Sequence, residues 1–385
     1  MLNDSKYYRL VKKQSSKMLV IFSSANVPAG KFSGGRSLRD VDANLLWINC
    51  PNNNWYLKSI PGLGESTQEI SENINKLIEE TNSSERVLFY GGSMGGVGAA
   101  FYGALRRKTE ILATGAELLL GINGGQYNKE CKDKVENGKR PHLTELIKSS
   151  QSKFTFISGE ECTYDLKCVS SVNQFKNTSV YSIINGEHVV PHLLHREYGM
   201  ENIIRSYLDG KPFDPIKKMQ SEILLHPELI DVLYRFEIND ISPNDFFAFE
   251  ANLNESVTCP FSKSYWLHRK AFWLMKQNKI DLAIEDLRIA VKLNGDSSKI
   301  HTLIGQCYWR KKDIKNAKKH VSIAIAHADK SVGTPNYNAF FIMLEILQEE
   351  ANRKDYLGTL TKLQEILPER GPICQRANKY AERIL

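Results

Sequence analysis

One segment, from Glu85 to Leu105, limits the possible folds of this chain more than any other. Its sequence is ERVLFYGGSMGGVGAAFYGAL. An apolar, strand-like run leads into the glycine-rich turn around Ser93, and small and apolar residues at helical spacing follow. Strand, tight turn and helix are the context of a G-x-S-x-G nucleophile elbow, in which a strained backbone lifts a serine hydroxyl above the sheet edge. The segment predicts a nucleophilic Ser93; the alternative is a glycine-rich turn without chemistry.

Small residues surround this serine beyond what the five-residue motif requires. They are Gly91, Gly95, Gly96, Gly98, Ala99 and Ala100. Strand and helix backbones nearly touch at an elbow, so the flanking positions must be small.

Strand-like and helix-like segments alternate around the elbow. The predicted strands are Lys17–Ser23, Ala43–Asn49, Ala116–Ile122, Phe154–Ser158 and Val180–Ile184, with Trp55–Leu57 as a short strand or edge. The predicted helices include Thr67–Thr81, a short one around Leu143–Ile147, and Leu193–Leu208. This alternation predicts an α/β fold of the doubly wound, mainly parallel type.

A serine nucleophile needs an imidazole base and an acid that orients it. In α/β-hydrolases the chain order is serine, acid, histidine, with the partners on loops after later strands. Asp165 follows the strand Phe154–Ser158, and His188 follows Val180–Ile184 in the turn Asn185-Gly186-Glu187-His188. We predict Asp165 and His188 as the partners of Ser93.

Other residues compete for these roles. Glu160 or Glu161, nearer the strand end, could replace Asp165 as the acid. His192 and His195 fall on a predicted helix and should turn away from the strand edge. His142, in a polar insertion, could contact an acceptor but is more simply a loop residue.

An oxyanion hole requires two preorganised backbone N–H donors. Met94, directly after the nucleophile, should supply one. The loop after the first predicted strand should supply the other, from Ala25 or Asn26. The glycine-rich turn lacks the Lys-Ser/Thr pair of a phosphate-binding loop, and no spacing predicts a metal cluster. We expect no permanently bound cofactor.

The catalytic domain is predicted to span residues 1–210, with residues 123–152 as a lid or insertion. Residues 211–262 form a helical connector, and residues 263–385 a repeat domain. In the first two repeats, four small or apolar positions recur at an offset of 34. They are Ala271, Ala283, Leu287 and Ala290, matched by Gly305, Ala317, Val321 and Ala324.

That period is typical of tetratricopeptide helix–turn–helix repeats. A third, degenerate unit keeps the period at Ala339 and Ala351 but places Asp355 where an apolar residue is expected. The alternative is an unrelated helical bundle. Such repeats form docking surfaces, here for self-association or for a polymer-synthesis complex.

The remaining composition excludes several classes. The longest apolar stretch, Ile111–Ile122, is broken by Glu117 and is too short for a membrane span. Seven scattered cysteines predict reduced thiols, and the N-terminus lacks a signal-peptide pattern, so we expect a cytoplasmic protein, either free or peripheral to the inner membrane. The net charge of +7 favours an anionic partner, although a solvated lysine-rich surface explains it equally well. Nucleic-acid binding is not predicted.

Three features together resemble a known family. They are the YGGSMGG motif at Tyr90–Gly96, the early segment FSSANVPAGKFSGGRSL, and an acid followed after 23 residues by a Gly-Glu-His histidine. They resemble the α/β-hydrolase-type O-acetyltransferases of bacterial capsule biosynthesis, in particular those acting on polysialic acid. The resemblance covers roughly residues 17–208 and does not extend to the repeats.

This resemblance implies acetyl transfer from acetyl-CoA to a polysaccharide hydroxyl through a Ser-His-Asp triad. The alternatives are a serine esterase, thioesterase or peptidase of the same fold, and an inactive scaffold that binds partners through its repeats. Transfer and hydrolysis share every step except the second nucleophile. The sequence identifies neither the sugar nor the hydroxyl.

Overall fold

The computed structural model describes residues 5–83, 85–127, 143–211, 213–242, 245, 249, 257–328, 336–367 and 372–383. The chain divides into two compact units, Met1–Phe249 and Glu250–Leu385. Residues 128–142 of the predicted insertion, His142 among them, lie outside the described residues. No helix in the described ranges combines the length and the apolar character needed to cross a membrane.

A seven-stranded sheet forms the centre of the first unit. Its strands are β1 (Tyr8–Val11), β2 (Lys17–Phe22), β3 (Asn44–Ile48), β4 (Arg86–Gly92), β5 (Glu110–Thr114), β6 (Lys153–Gly159) and β7 (Thr178–Ile183). They lie in the order β1-β3-β2-β4-β5-β6-β7. Only the edge strand β1 is antiparallel within this sheet, and the other pairs are parallel. The predicted mainly parallel α/β fold is confirmed.

Helices follow most of the strands and cover the sheet. They are α1 (Thr67–Glu79), α2 (Met94–Leu105), α3 (Leu143–Ser149), α4 (Thr163–Ser170), α5 (Val190–Tyr198), α6 (Met200–Leu208) and α7 (Pro227–Glu237). The hydroxyl of Ser66 caps α1 by accepting a hydrogen bond from the Glu69 N–H, and the helix buries Ile70, Ile74, Leu77 and Ile78. From β3 to β7 a helix lies between successive strands, whereas the parallel pair β2 and β3 is joined by a loop without a helix.

Three predictions of local structure are wrong. The strand expected at Ala116–Ile122 lies instead at Glu110–Thr114, because Gly115 ends it with a φ of 55° and the following apolar residues are buried in a loop. Trp55–Leu57 is a turn in which Trp55 and Tyr56 have φ values of 58° and 61°. The helix expected at Leu193–Leu208 is two helices, because Gly199 interrupts it with a φ of 74°.

Helix α2 lies against the sheet at a distance that only glycine permits. A Cβ atom at Gly95 would lie 2.2 Å from the carbonyl oxygen of Phe22, the last residue of β2. A Cβ atom at Gly91 would lie 2.1 Å from the carbonyl oxygen of Gly95. The small residues around Ser93 therefore bring α2 into contact with two central strands, as predicted.

The second unit is helical throughout its described residues. It contains α8 (Pro260–Lys276), α9 (Ile280–Leu293), α10 (Ser298–Arg310), α11 (Ile314–Ala326), α12 (Tyr337–Glu349), α13 (Arg353–Ile366) and α14 (Pro372–Glu382). Successive helices pack as pairs, α8 with α9, α10 with α11 and α12 with α13. The eight residues that define the 34-residue offset are all buried.

The third pair of helices keeps this packing but with a longer offset. Ala351 is exposed in the turn before α13 with a φ of 55°, so the period predicted there is wrong. An offset of 39 instead matches Gly305, Ala317, Val321 and Ala324 with Leu344, Tyr356, Leu360 and Leu363, all of them buried. The third pair therefore begins five residues later than a period of 34 would place it. This shift explains why Asp355 falls where that period predicts an apolar residue.

Candidate active site

Ser93 occupies the sharp turn between β4 and α2. Its backbone has φ 54° and ψ −124°, a strained geometry for a residue with a side chain. The Ser93 N–H donates to the carbonyl oxygen of Thr114, at the end of β5, over 2.8 Å. This bond and the close packing of α2 hold the serine at the carboxyl edge of the sheet. The geometry is that of a nucleophile elbow.

His188 reaches this serine from the loop between β7 and α5. Its Nε2 lies 2.9 Å from the Oγ of Ser93, and its Nδ1 lies 2.8 Å from the Oδ2 of Asp165. If Nδ1 carries the proton, it donates to the carboxylate and leaves Nε2 free to accept the serine proton. The structure thus brings together the three residues predicted from sequence.

Asp165 lies in the first turn of α4 rather than in the preceding loop. Its side chain is 4% exposed, whereas that of His188 is 41% exposed. Coulombic attraction to Asp165 raises the pKa of His188 above its usual value, although partial burial opposes this effect. Asp165 therefore favours the protonated form of the His188 ring.

The competing acids have other contacts. Glu160 is 1% exposed, and its carboxylate accepts a hydrogen bond of 2.7 Å from the hydroxyl of Ser221. The backbone N–H of Glu161 donates to Gly186 in the histidine loop. Of the three carboxylates that the sequence left open, Asp165 is the one hydrogen-bonded to His188. Glu160 and Glu161 help to hold the loops on either side of it.

Cys162, which caps α4, forms a cluster with Asp165 and His188 that the sequence did not predict. One potential ligand atom from each residue lies within 4.8 Å of the others, so the three could in principle hold a metal ion. Burial raises the pKa of the Cys162 thiol well above its usual value. The charge of Asp165 and a hydrogen bond to its side chain act in the same direction, and a hydrogen bond from its backbone opposes them. Metal binding requires the thiolate, so this environment fits a thiol that donates to Asp165 better than a metal ligand.

The second oxyanion donor was predicted to lie on the loop after β2. The Ser24 N–H donates to Ser33, and the Asn26 N–H donates to the Oδ1 of Asn53 over 2.9 Å. The Ala25 N–H donates to no residue that the structure describes. The Met94 N–H, in the first turn of α2, has no acceptor within its own helix. Of the predicted donors, Ala25 and Met94 are therefore the two available, and Asn26 is occupied.

A cavity of about 300 Å³ lies beside the elbow. Its walls include Gly92 and Val189, the neighbours of Ser93 and His188, as well as His192 and His195 on α5. These two histidines were expected to turn away from the strand edge; neither contacts Ser93, but both line this adjacent cavity. We call it the β4 cavity because Tyr90 and Gly92 of that strand form part of its wall.

Glu117 is a further buried group near the site. Its carboxylate accepts hydrogen bonds from the backbone N–H groups of Gln126 and Tyr127, over 2.7 and 3.1 Å. Burial raises the pKa of Glu117, and its charge contributes to the raised pKa of His188. A single acidic residue inside an apolar run was the sequence signal for this anchor. It fixes the loop that follows β5.

Strand order, a single antiparallel edge strand and a strained serine between β4 and α2 define an α/β-hydrolase fold. The chain thus belongs to the class of proteins that carry a serine elbow on this sheet. No family model matches the chain, and no curated protein matches it either.

Several solved structures share part of the fold. The capsule O-acetyltransferase of Neisseria meningitidis serogroup A is 14% identical, with 52% of this chain and 91% of that chain covered and a TM-score of 0.38. A mutant of it in complex with CoA covers 46% of this chain and 82% of its own at 14% identity and a TM-score of 0.37. MenH from S. aureus is 12% identical, with 53% of this chain and 98% of that chain covered and a TM-score of 0.35. Similarities this low assign neither an activity nor a substrate.

Proposed function

We propose that this chain is a serine-dependent acyltransferase that moves an acetyl group from acetyl-CoA to a hydroxyl of a capsular or other surface polysaccharide. The observation that carries the proposal is the hydrogen-bonded series Ser93–His188–Asp165 at the elbow. The acetyl donor and the polysaccharide acceptor rest on the sequence resemblance described above. The net charge of +7 agrees with an anionic polymer.

In the first step, the Oγ of Ser93 attacks the thioester carbonyl while the Nε2 of His188 accepts the hydroxyl proton. The new C–O bond gives a tetrahedral intermediate whose oxyanion accepts hydrogen bonds from the Met94 and Ala25 N–H groups. The C–S bond then breaks, His188 returns the proton to the departing sulfur, and acetyl-Ser93 remains. Asp165 stabilises the transient positive charge on the imidazole throughout.

In the second step, His188 removes a proton from an acceptor hydroxyl, and the hydroxyl oxygen attacks the carbonyl carbon of acetyl-Ser93. The bond between that carbon and the Ser93 Oγ then breaks, His188 returns the proton to Oγ, and the acetylated sugar leaves. Water can replace the sugar in the same geometry, so hydrolysis is the second candidate function. One observation favours it: the His188 side chain is 41% exposed, so solvent reaches the base. Substrate that covers the site would exclude this water.

Incubation with acetyl-CoA, with and without a capsular oligosaccharide, separates transfer from hydrolysis. We expect CoA release that depends on the oligosaccharide, together with acetylated sugar detected by mass spectrometry. Equal CoA release without sugar would indicate an esterase or thioesterase instead. Labelling by a fluorophosphonate in the wild type but not in Ser93→Ala tests whether the site is active at all, and an unlabelled wild type would support the inactive scaffold.

The helical unit is proposed to act as a docking surface, either for a second copy of this chain or for a capsule-synthesis complex. Its stacked helix pairs support this role, since such arrays bind partner peptides or helices. Cytoplasmic location is part of the same proposal. A variant that lacks the residues after 262 should keep its activity on soluble oligosaccharide. It should lose the association with a second copy or with the complex, as measured by size-exclusion chromatography and light scattering.

A further inference from the structure

The β4 cavity has a lining that the acyl-transfer steps above do not use. Its polar side chains are three serines, one tyrosine and two histidines: Ser24, Ser33, Ser37, Tyr90, His192 and His195. No Asp, Glu, Lys or Arg side chain is among the described residues that line it. The volume of about 300 Å³ lies at the small end of ligand-binding pockets.

Tyr90 points into this cavity because of its place in the sheet. The ring of its neighbour Phe89 packs against Phe22, which in turn stacks on Tyr102 of α2. Successive residues of a strand face opposite sides, so Tyr90 points to the face covered by α5 and α6. His192, His195 and Met200 of those helices line the same cavity. The phenol therefore lines the cavity from the same face of β4 as Gly92, two residues earlier in the strand.

The hydrogen-bonding capacity of the Tyr90 hydroxyl is unused by the part of the chain that the structure describes. The residue is 7% exposed, and no described residue forms a hydrogen bond with its hydroxyl. Burial alone raises the pKa of this tyrosine, which therefore stays neutral and can both donate and accept. A hydroxyl that lines a cavity and has no partner among the described residues can be satisfied there by water or by a ligand.

The rest of the wall is suited to the same kind of ligand. The Met200 N–H donates to the Nδ1 of His195 over 3.3 Å, so the neutral ring carries its proton on Nε2 and can donate there. The loop that contributes Ser33 and Ser37 also carries the exposed Lys31 and Arg36. These cations lie on the loop and not among the lining side chains, so they would attract negative charge outside the cavity.

We propose that the β4 cavity holds one sugar unit of the acceptor by an uncharged, hydroxyl-bearing face, with Tyr90 as its buried hydrogen-bonding residue. This inference rests on the proposed function, since it concerns the second substrate of the same serine. Hydroxyl and imidazole groups match sugar hydroxyls, which also donate and accept. Charged substituents of the polymer would lie outside, near Lys31 and Arg36.

The test compares Tyr90→Phe with wild type in three assays. The first assay follows acetyl-Ser93 formation from acetyl-CoA alone by the intact mass of the protein. The second follows hydrolysis by the release of CoA without sugar. The third measures transfer to oligosialic acid and to maltotriose, which serve as probes. We expect acylation and hydrolysis to match wild type. Transfer should lose about two- to tenfold in kcat/KM for the sugar, the effect of one hydrogen bond between neutral groups.

Tyr207→Phe is the matched control, because it removes a buried tyrosine hydroxyl on α6 that does not line the cavity. It should leave all three assays unchanged. His192→Gln, at an exposed position, gives a second variant that does not threaten folding and should also weaken transfer selectively. Thermal unfolding of Tyr90→Phe should occur at the wild-type temperature or above, because the lost hydroxyl has no partner among the residues that the structure describes.

Each other outcome has a definite meaning. Unchanged sugar kinetics in Tyr90→Phe would show that the cavity holds only water. A raised KM for acetyl-CoA would assign the cavity to the donor, and a lower unfolding temperature would assign the hydroxyl to the fold. Acetyl-Ser93 formation with no transfer to either sugar in the wild type would overturn transfer as the proposed function, and this inference with it. Absence of acetyl-Ser93 in the wild type would overturn the proposed function itself.

Discussion

The Nε2 of His188 lies 2.9 Å from the Oγ of Ser93, although the two residues are 95 positions apart in the chain. Parallel strands bring them together, because β4 and β7 both end at the carboxyl edge of one sheet. Gly115 lies beneath this contact: a Cβ atom there would lie 2.7 Å from the His188 carbonyl oxygen and 3.3 Å from the Oδ2 of Asp165. Because Gly115 has no side chain, the end of β5 leaves room for His188 and Asp165 beside Ser93.

Asp165→Asn should reduce kcat about a thousandfold or more while leaving the fold intact, because the amide favours the wrong imidazole tautomer. Glu160→Gln is the matched control, since it neutralises a buried carboxylate after the same strand that contacts Ser221 and not His188. Steady-state kinetics of acetyl-CoA consumption by the folded fraction would measure both. A larger loss in Glu160→Gln than in Asp165→Asn would contradict the assignment of the acid.

The rate of Ser93 acylation should fall as pH decreases, with an apparent pKa above the usual histidine value of about 6.5. The base must be neutral, and Coulombic attraction to Asp165 raises the pKa of His188, so protonation begins at higher pH than for a free histidine. Asp165→Asn should move this transition to lower pH. The rate of fluorophosphonate labelling against pH measures it; an acid transition below the usual value in wild type would refute the coupling.

The raised pKa of His188 also affects the stability of the fold. This contribution decreases as pH rises, whereas the rate of Ser93 acylation increases. A histidine whose pKa is higher in the folded state adds stability that is complete below its unfolded pKa and is lost as pH rises through its folded pKa. The pH range in which His188 can act as a base is therefore the range in which its ion pair with Asp165 contributes least. Denaturant titrations below and above neutrality, with Asp165→Asn for comparison, would show this difference.

The elbow, the order of the catalytic partners and the α/β fold could be predicted because each depends on local sequence. Gly91 and Gly95 signal the close approach of strand and helix, and strand ends locate Asp165 and His188. The choice between Asp165 and Glu160 could not be made in the same way. It depends on which carboxylate turns towards the histidine loop, and that is set by packing around Ser221 and α4.

Other features were missed because apolar runs do not distinguish strands from buried loops. The apolar residues after Gly115 form a loop fixed by Glu117, and the tertiary structure rather than propensity decides this. The pairing of Asn26 with Asn53 is equally invisible, since it joins two loops through side-chain amides. Repeat periods are predictable only while the turn lengths stay constant, and Ala351 shows where they change.

Gly95→Ala should destabilise the first unit by about 2 kcal/mol or more, since the added methyl group meets the Phe22 carbonyl and not a side chain that could move. Gly35→Ala is the control, because its added Cβ would make an ordinary contact of 3.4 Å. Urea unfolding followed by circular dichroism compares the two. Similar midpoints for both variants would show that α2 can move away from β2 at little cost.

The buried ion pair between Lys270 and Asp286 should stabilise the helical unit only as long as both partners are present. Their side chains are 5% and 12% exposed, with Nζ and Oδ1 3.0 Å apart. Lys270→Met should cost about 3–5 kcal/mol because it leaves a buried carboxylate, and adding Asp286→Leu should recover much of the loss. Lys311→Met, which breaks the exposed pair with Asp281, should cost about 1 kcal/mol or less. Denaturant unfolding of the four proteins would show whether the double variant is the more stable.

Asn53→Ala should slow acylation of Ser93 by roughly tenfold to a hundredfold without unfolding the protein. The Asn53 side chain accepts the N–H of Asn26 and donates to its Oδ1, over 2.9 and 2.8 Å, and so fixes the loop that presents the Ala25 N–H. Loss of one oxyanion donor costs about a hundredfold to a thousandfold in other serine enzymes, and a loosened donor should cost less.

Asn73→Ala is the matched control, because that amide donates to the Leu63 carbonyl on a different loop. A role in positioning predicts a lower kcat with an unchanged KM for acetyl-CoA, and an acid transition in the pH profile that stays where it is in wild type, since His188 is untouched. A purely structural role would instead lower the unfolding temperature in proportion to the loss of activity. Equal acylation rates in Asn53→Ala and Asn73→Ala would show that the loop after β2 holds its shape without this pair and that the second oxyanion donor lies elsewhere.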